Sequence, residues 1–207
     1  MNPLDAHDIV TTLGTIGVLT ALFVETGLLV GLFLPGDSLL FVAGLAASGT
    51  AREIFGDQLS YTQLMIWAPI FATAGSQFGH WLGAKFGRPF FDRPDSRFFN
   101  QDRVKQTERW LLKYGLGKAL ILSHFIPFVR TLLNPLCGII GIPAKNFFFW
   151  NVIGSYIWTV GIISVGYLLG EKLQGSVDKY LLPAISIIVI LSLVPIILEY
   201  LRSMKRQ

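Results

Sequence analysis

Apolar residues cluster in five long segments along the chain. When such a segment is helical, about 20 residues span the ~30 Å hydrocarbon layer of a bilayer. Three of the segments are nearly free of charge and long enough to cross as simple helices. These three are residues 61–83, 147–170 and 181–201, and the other two segments are residues 9–50 and 115–143. The pattern predicts an all-α, polytopic membrane protein.

The other two segments are interrupted at points that predict bends. Pro35-Gly36 interrupts residues 9–50, and Pro127 interrupts residues 119–143. Because proline lacks a backbone donor and restricts the residue before it, each segment is predicted to form two half-helices. A broken helix is tolerated at membrane depth where it packs in protein or lines a wet cavity. We therefore predict two re-entrant hairpins. The second contains further interruptions at His124, Arg130 and Asn134-Pro135.

Lysine and arginine are concentrated in two polar regions. Nine of them lie within residues 84–118, and Arg202, Lys205 and Arg206 follow the last apolar segment. By the positive-inside rule both regions are predicted to be cytoplasmic. Residues 84–118 then form a basic cytoplasmic loop, and the two hairpins enter the membrane from opposite sides. The side of the amino terminus stays open.

Two short stretches of the sequence are similar to each other. Residues 78–85 and 165–172 share two glycines four positions apart, an aromatic residue after the first glycine and a final lysine. Each stretch follows one of the broken segments. This order predicts two units inserted in opposite directions, an inverted repeat of the kind found in transporters. Close helix packing is an alternative reason for the same glycine spacing.

Composition excludes a water-soluble globular domain. Of the 207 residues, 52% are hydrophobic and 14% are charged, against roughly 25% charged in an average soluble domain. The single cysteine, Cys137, cannot form an internal disulfide and is expected to be a packing residue. No motif of an enzyme class is present, so we expect no enzymatic activity, no cofactor and no bound metal. We also expect no nucleic-acid partner.

Four ionisable residues lie inside the predicted hairpins. Inserting such a group into hydrocarbon costs at least about 2.5–3.5 kcal/mol, so it usually faces a partner or a cavity. Hydrocarbon disfavours the charged form of a carboxyl group, which makes Glu25 a candidate proton carrier. The alternative is a neutral or arginine-paired structural glutamate. Asp37 is a second candidate, or simply the cap of a half-helix that begins at Ser38.

The two basic members of this set are His124 and Arg130. Arg130 is the stronger candidate for binding an anion, because guanidinium keeps its charge and presents a donor fork that fits phosphate oxygens. Alternatively it forms a salt bridge to Glu25 or Asp37, or alternates between both roles. His124 changes charge near neutral pH. We expect it to support phosphate binding when protonated and less so as pH rises, unless it is a hydrogen-bonded core residue.

Glu25 occurs together with several short motifs. They are FLPGDSLL at residues 33–40, GSQFG at residues 75–79, FIPFVRT at residues 125–131, and Gly138. Together they resemble the DedA family of bacterial membrane proteins, which is related to the eukaryotic VTT-domain lipid scramblases. The resemblance covers about residues 15–170. It implies that residues 1–207 form a single transmembrane domain in the bacterial cytoplasmic membrane.

The resemblance also implies a function. The family moves lipids across the cytoplasmic membrane, with undecaprenyl phosphate as the favoured substrate and protons as the associated coupling ion. Its functional acidic pair corresponds to Glu25 and Asp37, and one functional arginine corresponds to Arg130. This chain departs from the family at His124, where arginine is usual, and at Ser76, where aspartate is frequent.

We therefore expect a proton-coupled transporter of a polyprenyl phosphate. Arg130, His124 and Thr131 are expected to bind the substrate, and Glu25 and Asp37 to exchange protons. Three alternatives stay open: a proton-coupled carrier of a small soluble solute, a general phospholipid scramblase, and a non-transporting scaffold whose charges are paired internally. The sequence leaves the oligomeric state open.

Overall fold

The structure, a computed structural model, describes residues 6–28, 36–49, 59–91, 108–109 and 111–172. All regular secondary structure in these ranges is helical, which confirms the all-α prediction. The predicted span 181–201, the basic tail and the bend residue Pro35 lie outside the described residues. Helices of eight or more residues in the described ranges are α1 (Ala6–Gly27), α2 (Gly36–Ala46), α3 (Tyr61–Phe91), α4 (Leu116–Ser123), α5 (Pro127–Ile139) and α6 (Ala144–Lys172).

Helix α6 best matches a simple membrane span. Its 29 residues correspond to about 44 Å of α-helix. Within the described ranges it is the one helix that is both long and apolar enough to cross a bilayer. It contains the whole of the predicted segment 147–170. Helix α3 is longer, at 31 residues. It continues past the predicted end at residue 83, and Ile139 of α5 packs against this extension at Gly87.

Helix α2 and the part of α1 after its kink, Gly14–Gly27, are apolar but short. Helix α1 is kinked at Gly14, whose φ of 56° and ψ of −146° suit a residue without a side chain. Helix α2 has 11 residues and begins at Gly36. Asp37 therefore lies in its first turn instead of capping a helix that begins at Ser38. A carboxylate at this end is favourable because the helix dipole is positive there.

The chain breaks between α4 and α5. Ile126, the residue before Pro127, has an extended conformation, with φ −122° and ψ 100°, as expected from the clash of a proline ring with a helical predecessor. Pro127 then occupies a first-turn position of α5, where its missing donor costs nothing. The Asn134-Pro135 pair, which interrupts the apolar sequence, does not end the helix, since Pro135 lies inside α5.

The described residues form two compact units. The first, here called the α2 unit, contains α2 with residues 6–21, 59–67 and 160–172. The second, the α5 unit, contains residues 22–28, 68–91, 108–109 and 111–159, which include α4 and α5. The predicted single domain and its membrane boundaries stay predictions.

In the α2 unit, glycines bring α2 against the second half of α6. A Cβ on Gly166 would overlap the carbonyl group of Phe41, and one on Gly170 would overlap the side chain of Ser48. Two aromatic rings also meet at the same half of α6. The rings of Tyr61 and Tyr167 lie 4.2 Å apart.

The α5 unit repeats this arrangement with different residues. A Cβ on Gly83 of α3 would overlap the carbonyl group of Pro135 in α5, and one on Gly138 of α5 would overlap that of His80. The rings of His80 and Phe147 stack at 4.6 Å. His80 and Tyr167 occupy equivalent positions in the two similar stretches, as do Gly83 and Gly170. The sequence similarity therefore has a counterpart in the packing of each unit.

Candidate functional site

Arg130 and Glu25 form a buried ion pair in the α5 unit. Nη2 of Arg130 donates to Oε1 of Glu25. Glu25 lies near the end of α1 and Arg130 near the start of α5. The two side chains are 3% and 0% exposed, respectively. The salt bridge that the sequence offered as an alternative role for Arg130 is therefore present.

Two further contacts hold the guanidinium group of Arg130. Nη1 donates to the carbonyl oxygen of His124 at 3.0 Å. The indole of Trp158 in α6 lies against the cation, with 3.9 Å between Cζ of Arg130 and the ring centroid. Because His124 follows the last residue of α4, the break between α4 and α5 brings its carbonyl within reach of α5. The arginine is thus held by two hydrogen-bond acceptors and one aromatic ring.

The ring of His124 is buried and both of its nitrogens are hydrogen-bonded. Nδ1 lies 2.8 Å from the carbonyl oxygen of Leu120, and Nε2 lies 3.1 Å from Oγ of Ser155. Nδ1 is the donor in the first bond, because a carbonyl oxygen can only accept. Gly154 provides the space, since a Cβ there would lie 2.6 Å from Nδ1. The structure thus places His124 as a hydrogen-bonded core residue that meets Arg130 through its backbone.

A buried polar stripe runs along α6 and was missed by the sequence reasoning. Oγ of Ser155 donates to Oδ1 of Asn151 at 3.2 Å, and Nδ2 of Asn151 donates to the carbonyl oxygen of Thr73 at 3.1 Å. Thr159 continues the stripe and donates to the carbonyl oxygen of Ser155 at 2.7 Å. Polar residues at four-residue spacing in an apolar helix were the available signal, because they share one face. This face also brings Trp158 to Arg130.

A second group of polar atoms lies beside the ion pair. Nδ2 of Asn134, one turn after Arg130, donates at 3.0 Å to the carbonyl oxygen of Thr26, the neighbour of Glu25. Within the described part of the chain, Oδ1 of Asn134 and Oγ of Ser76 are buried without a hydrogen-bond partner. Buried polar atoms are normally satisfied by protein or by water. These two atoms are therefore free to bind water or the polar part of a ligand.

The structure brings three of the four predicted ionisable residues together. They are Glu25, His124 and Arg130. Thr131 is buried and follows Arg130 in α5, while Pro127 opens that helix. Gly36 and Asp37 belong to α2 and are described with the α2 unit.

The arrangement is suited to exchanging one anion for another at an arginine. A phosphate group and the carboxylate of Glu25 would compete for the same guanidinium donors. Protonation of Glu25 removes its charge and weakens its hold on Arg130. Among the residues described, no group of three or more His, Cys, Asp or Glu is placed to hold a metal ion.

Most of the sequence matches known proteins. The VTT domain family matches residues 34–168. Protein DedA of Escherichia coli (strain K12) is 35% identical over 181 residues, which cover 87% of this chain and 79% of that protein. Inner membrane protein YghB of the same strain is 34% identical over 161 residues, covering 72% and 64% of the two chains. The uncharacterized membrane protein Rv0364 of Mycobacterium tuberculosis (strain ATCC 25618 / H37Rv) is 32% identical over 155 residues, covering 75% and 65%. No solved structure matches the chain.

Proposed function

Because the chain belongs to the DedA family of VTT-domain proteins and to the inner membrane of bacteria, we propose that it transports a phosphorylated lipid across that membrane. The lipid class is a polyprenyl phosphate, with undecaprenyl phosphate as the first candidate, and the protein acts as a transporter and not as an enzyme. Transport is coupled to protons. The acyl or prenyl chain stays in the bilayer while the headgroup crosses through the protein.

The observation that carries this proposal is the buried pair of Glu25 and Arg130. Removing one partner of a buried ion pair is costly, because the other charge is left uncompensated. A proton that neutralises Glu25 therefore favours a new anion at Arg130. A lipid phosphate supplies that anion. Proton binding and phosphate binding are thus coupled through one guanidinium group.

The short helices support a path for the headgroup. Helix α5 has 13 residues, or about 20 Å, against the ~30 Å of a hydrocarbon layer. Helix α2 is shorter still. Each packs through glycines against a long helix in its own unit, which is the packing expected of two equivalent re-entrant hairpins. We therefore include the inverted repeat, with hairpins inserted from opposite sides, in the proposed transport mechanism.

Transport can be tested with purified full-length protein in liposomes. Undecaprenyl phosphate is incorporated in both leaflets, and its accessible phosphate is followed from one side as a pH gradient is applied. Wild-type protein is expected to redistribute the lipid, and Arg130→Ala to abolish both binding and redistribution. Trp81→Leu, a change at an exposed residue of α3, is the control for handling. Failure of the wild-type protein to move any phosphorylated lipid would reject the proposal.

The same ion pair also favours a second candidate function, a scaffold whose charges are paired internally. The two functions differ in their response to Glu25→Gln. A scaffold needs no proton site, so its cellular role should survive where the folded variant accumulates normally. A proton-coupled transporter should lose its dependence on the pH gradient. Competition by phosphatidylglycerol and by soluble phosphate separates a general scramblase and a solute carrier from a polyprenyl-phosphate transporter.

A further inference from the structure

We propose that Trp158 is a positioning residue that keeps Arg130 in its phosphate-binding orientation throughout transport. The proposal rests on the proposed function, because it concerns the same arginine. It starts from the indole, whose ring centroid lies 3.9 Å from Cζ of Arg130. Trp158 is 1% exposed and is the largest fully buried side chain in the described ranges. The contact is therefore shielded from water, and a cation–π interaction is strongest when it is desolvated.

Glu25 and Trp158 hold Arg130 in different ways. The carboxylate of Glu25 binds a guanidinium edge, where hydrogen-bond donors point. The indole of Trp158 contacts the cation through the face of its own ring, centred 3.9 Å from Cζ, and offers it no hydrogen-bond acceptor. A phosphate needs the edges of the group and not its face. Phosphate can therefore replace Glu25 while the indole stays in place.

The need for this contact is greatest after Glu25 has been neutralised. Arg130 still contacts the carbonyl oxygen of His124, at 3.0 Å from Nη1, and the indole. A hydrogen bond permits rotation about its axis, whereas a large buried ring close to Cζ limits that rotation. The ring of Trp158 is also close to that of His124, with 6.2 Å between centroids. Trp158 thus restrains the orientation that phosphate requires.

Two substitutions at one position separate orientation from simple filling of space. Trp158→Phe retains an aromatic face, and Trp158→Leu removes it. Full-length variants in nanodiscs are titrated with undecaprenyl phosphate. We expect Trp158→Leu to raise Kd about tenfold and Trp158→Phe to raise it less than about threefold. The maximal transport rate at saturating lipid should fall by a smaller factor than Kd rises in Trp158→Leu. Trp81→Leu controls for loss of an indole that does not contact Arg130.

The role of Glu25 sharpens the test. In a Glu25→Gln background the carboxylate no longer holds Arg130, so adding Trp158→Leu should weaken lipid binding by a larger factor than in the wild-type background. Equal Kd values for the Phe and Leu variants, whether both match wild type or both are weakened, would overturn the positioning role. So would an equal effect of Trp158→Leu in both backgrounds.

A spectroscopic measurement keeps this proposal separate from the transport function. An indole over a guanidinium group shifts the arginine proton resonances through its ring current. In protein labelled with ¹⁵N-arginine, the guanidinium signals of Arg130, assigned by their loss in Arg130→Gln, should move in Trp158→Leu and move less in Trp158→Phe. If the shift is present but wild-type protein binds no phosphorylated lipid, the proposed function fails while the contact stands. Unchanged signals in Trp158→Leu would refute the contact and with it the positioning role.

Discussion

Glu25 and Arg130 are 105 positions apart in the chain, yet the carboxylate of one and the guanidinium group of the other meet as a buried ion pair. Removing either charge leaves the other without its partner in a poorly hydrated site. We expect Glu25→Gln and Arg130→Gln each to destabilise the protein by about 3 kcal/mol. The measurement is the thermal midpoint of unfolding in one detergent.

The double variant Glu25→Gln/Arg130→Gln tests whether this cost belongs to the pair. It should be less destabilised than the sum of the two single variants, by about 1–3 kcal/mol, because no charge is left uncompensated. Glu171→Gln provides a control, since this carboxylate accepts a hydrogen bond from the backbone of Gly49 in an exposed position. Strict additivity of the two single changes would contradict an energetic pair.

The pH dependence of lipid binding should originate at Glu25. At lower pH a larger fraction of Glu25 is protonated, which releases Arg130 for phosphate, so binding of undecaprenyl phosphate should strengthen as pH falls. For one linked proton the change is at most about tenfold per pH unit. Isothermal titration calorimetry between about pH 5.5 and 8.5 measures how lipid affinity depends on pH. This range includes the ~6–7 region where histidine also titrates.

Two variants assign that profile to a residue. Glu25→Gln should bind with little pH dependence, because no proton is exchanged at the pair. His124→Gln should keep most of it, since the His124 ring bonds to Leu120 and Ser155 while its backbone carbonyl meets Arg130. A flat profile in His124→Gln with a normal one in Glu25→Gln would place the titrating group on the imidazole, as the sequence suggested.

Each unit has a glycine that packs against a backbone carbonyl group, and these two glycines should be equally intolerant of a side chain. A Cβ at Gly83 would overlap the carbonyl group of Pro135, and a Cβ at Gly166 would overlap that of Phe41. Backbone atoms cannot move aside cheaply, so Gly83→Ala and Gly166→Ala should each destabilise the protein by about 1–3 kcal/mol. Thermal unfolding of both variants measures this. Tolerance at one position and not at the other would count against equivalent packing in the two units.

The helices could be predicted from the sequence because long apolar runs and proline chemistry are local properties. The ends of the helices depend on packing and were harder to predict from the sequence. Helix α3 continues past residue 83, where Ile139 covers Gly87. Pro135 stays inside α5. Its carbonyl group packs against Gly83 of α3, and Gly138 of α5 packs against the carbonyl group of His80. A sequence pattern does not report such contacts.

The candidate site could likewise be predicted in part from the sequence. Glu25, His124 and Arg130 stand out because charge is rare in apolar segments, and the structure brings them together. Trp158 did not stand out, since an aromatic residue in an apolar helix is typical of any membrane helix. Ser155 was also overlooked. Its partner, the His124 ring, is set by the fold and not by the local sequence.

Gly154 is predicted to control the position of His124, and a matched glycine on the same helix allows a clean test. A Cβ at Gly154 would lie 2.6 Å from Nδ1 and 2.8 Å from Cε1 of the buried ring, whereas a Cβ at Gly161 would meet nothing within 4 Å. Gly154→Ala should therefore push the ring off Leu120 or Ser155 and destabilise the protein by about 1–3 kcal/mol. Gly161→Ala should stabilise it by up to about 1 kcal/mol, because alanine has the higher helix propensity. Since the carbonyl of His124 also accepts from Arg130, Gly154→Ala should in addition weaken binding of undecaprenyl phosphate. Equal thermal midpoints for the two variants would mean that the ring has room to move, and that His124 is not fixed by α6.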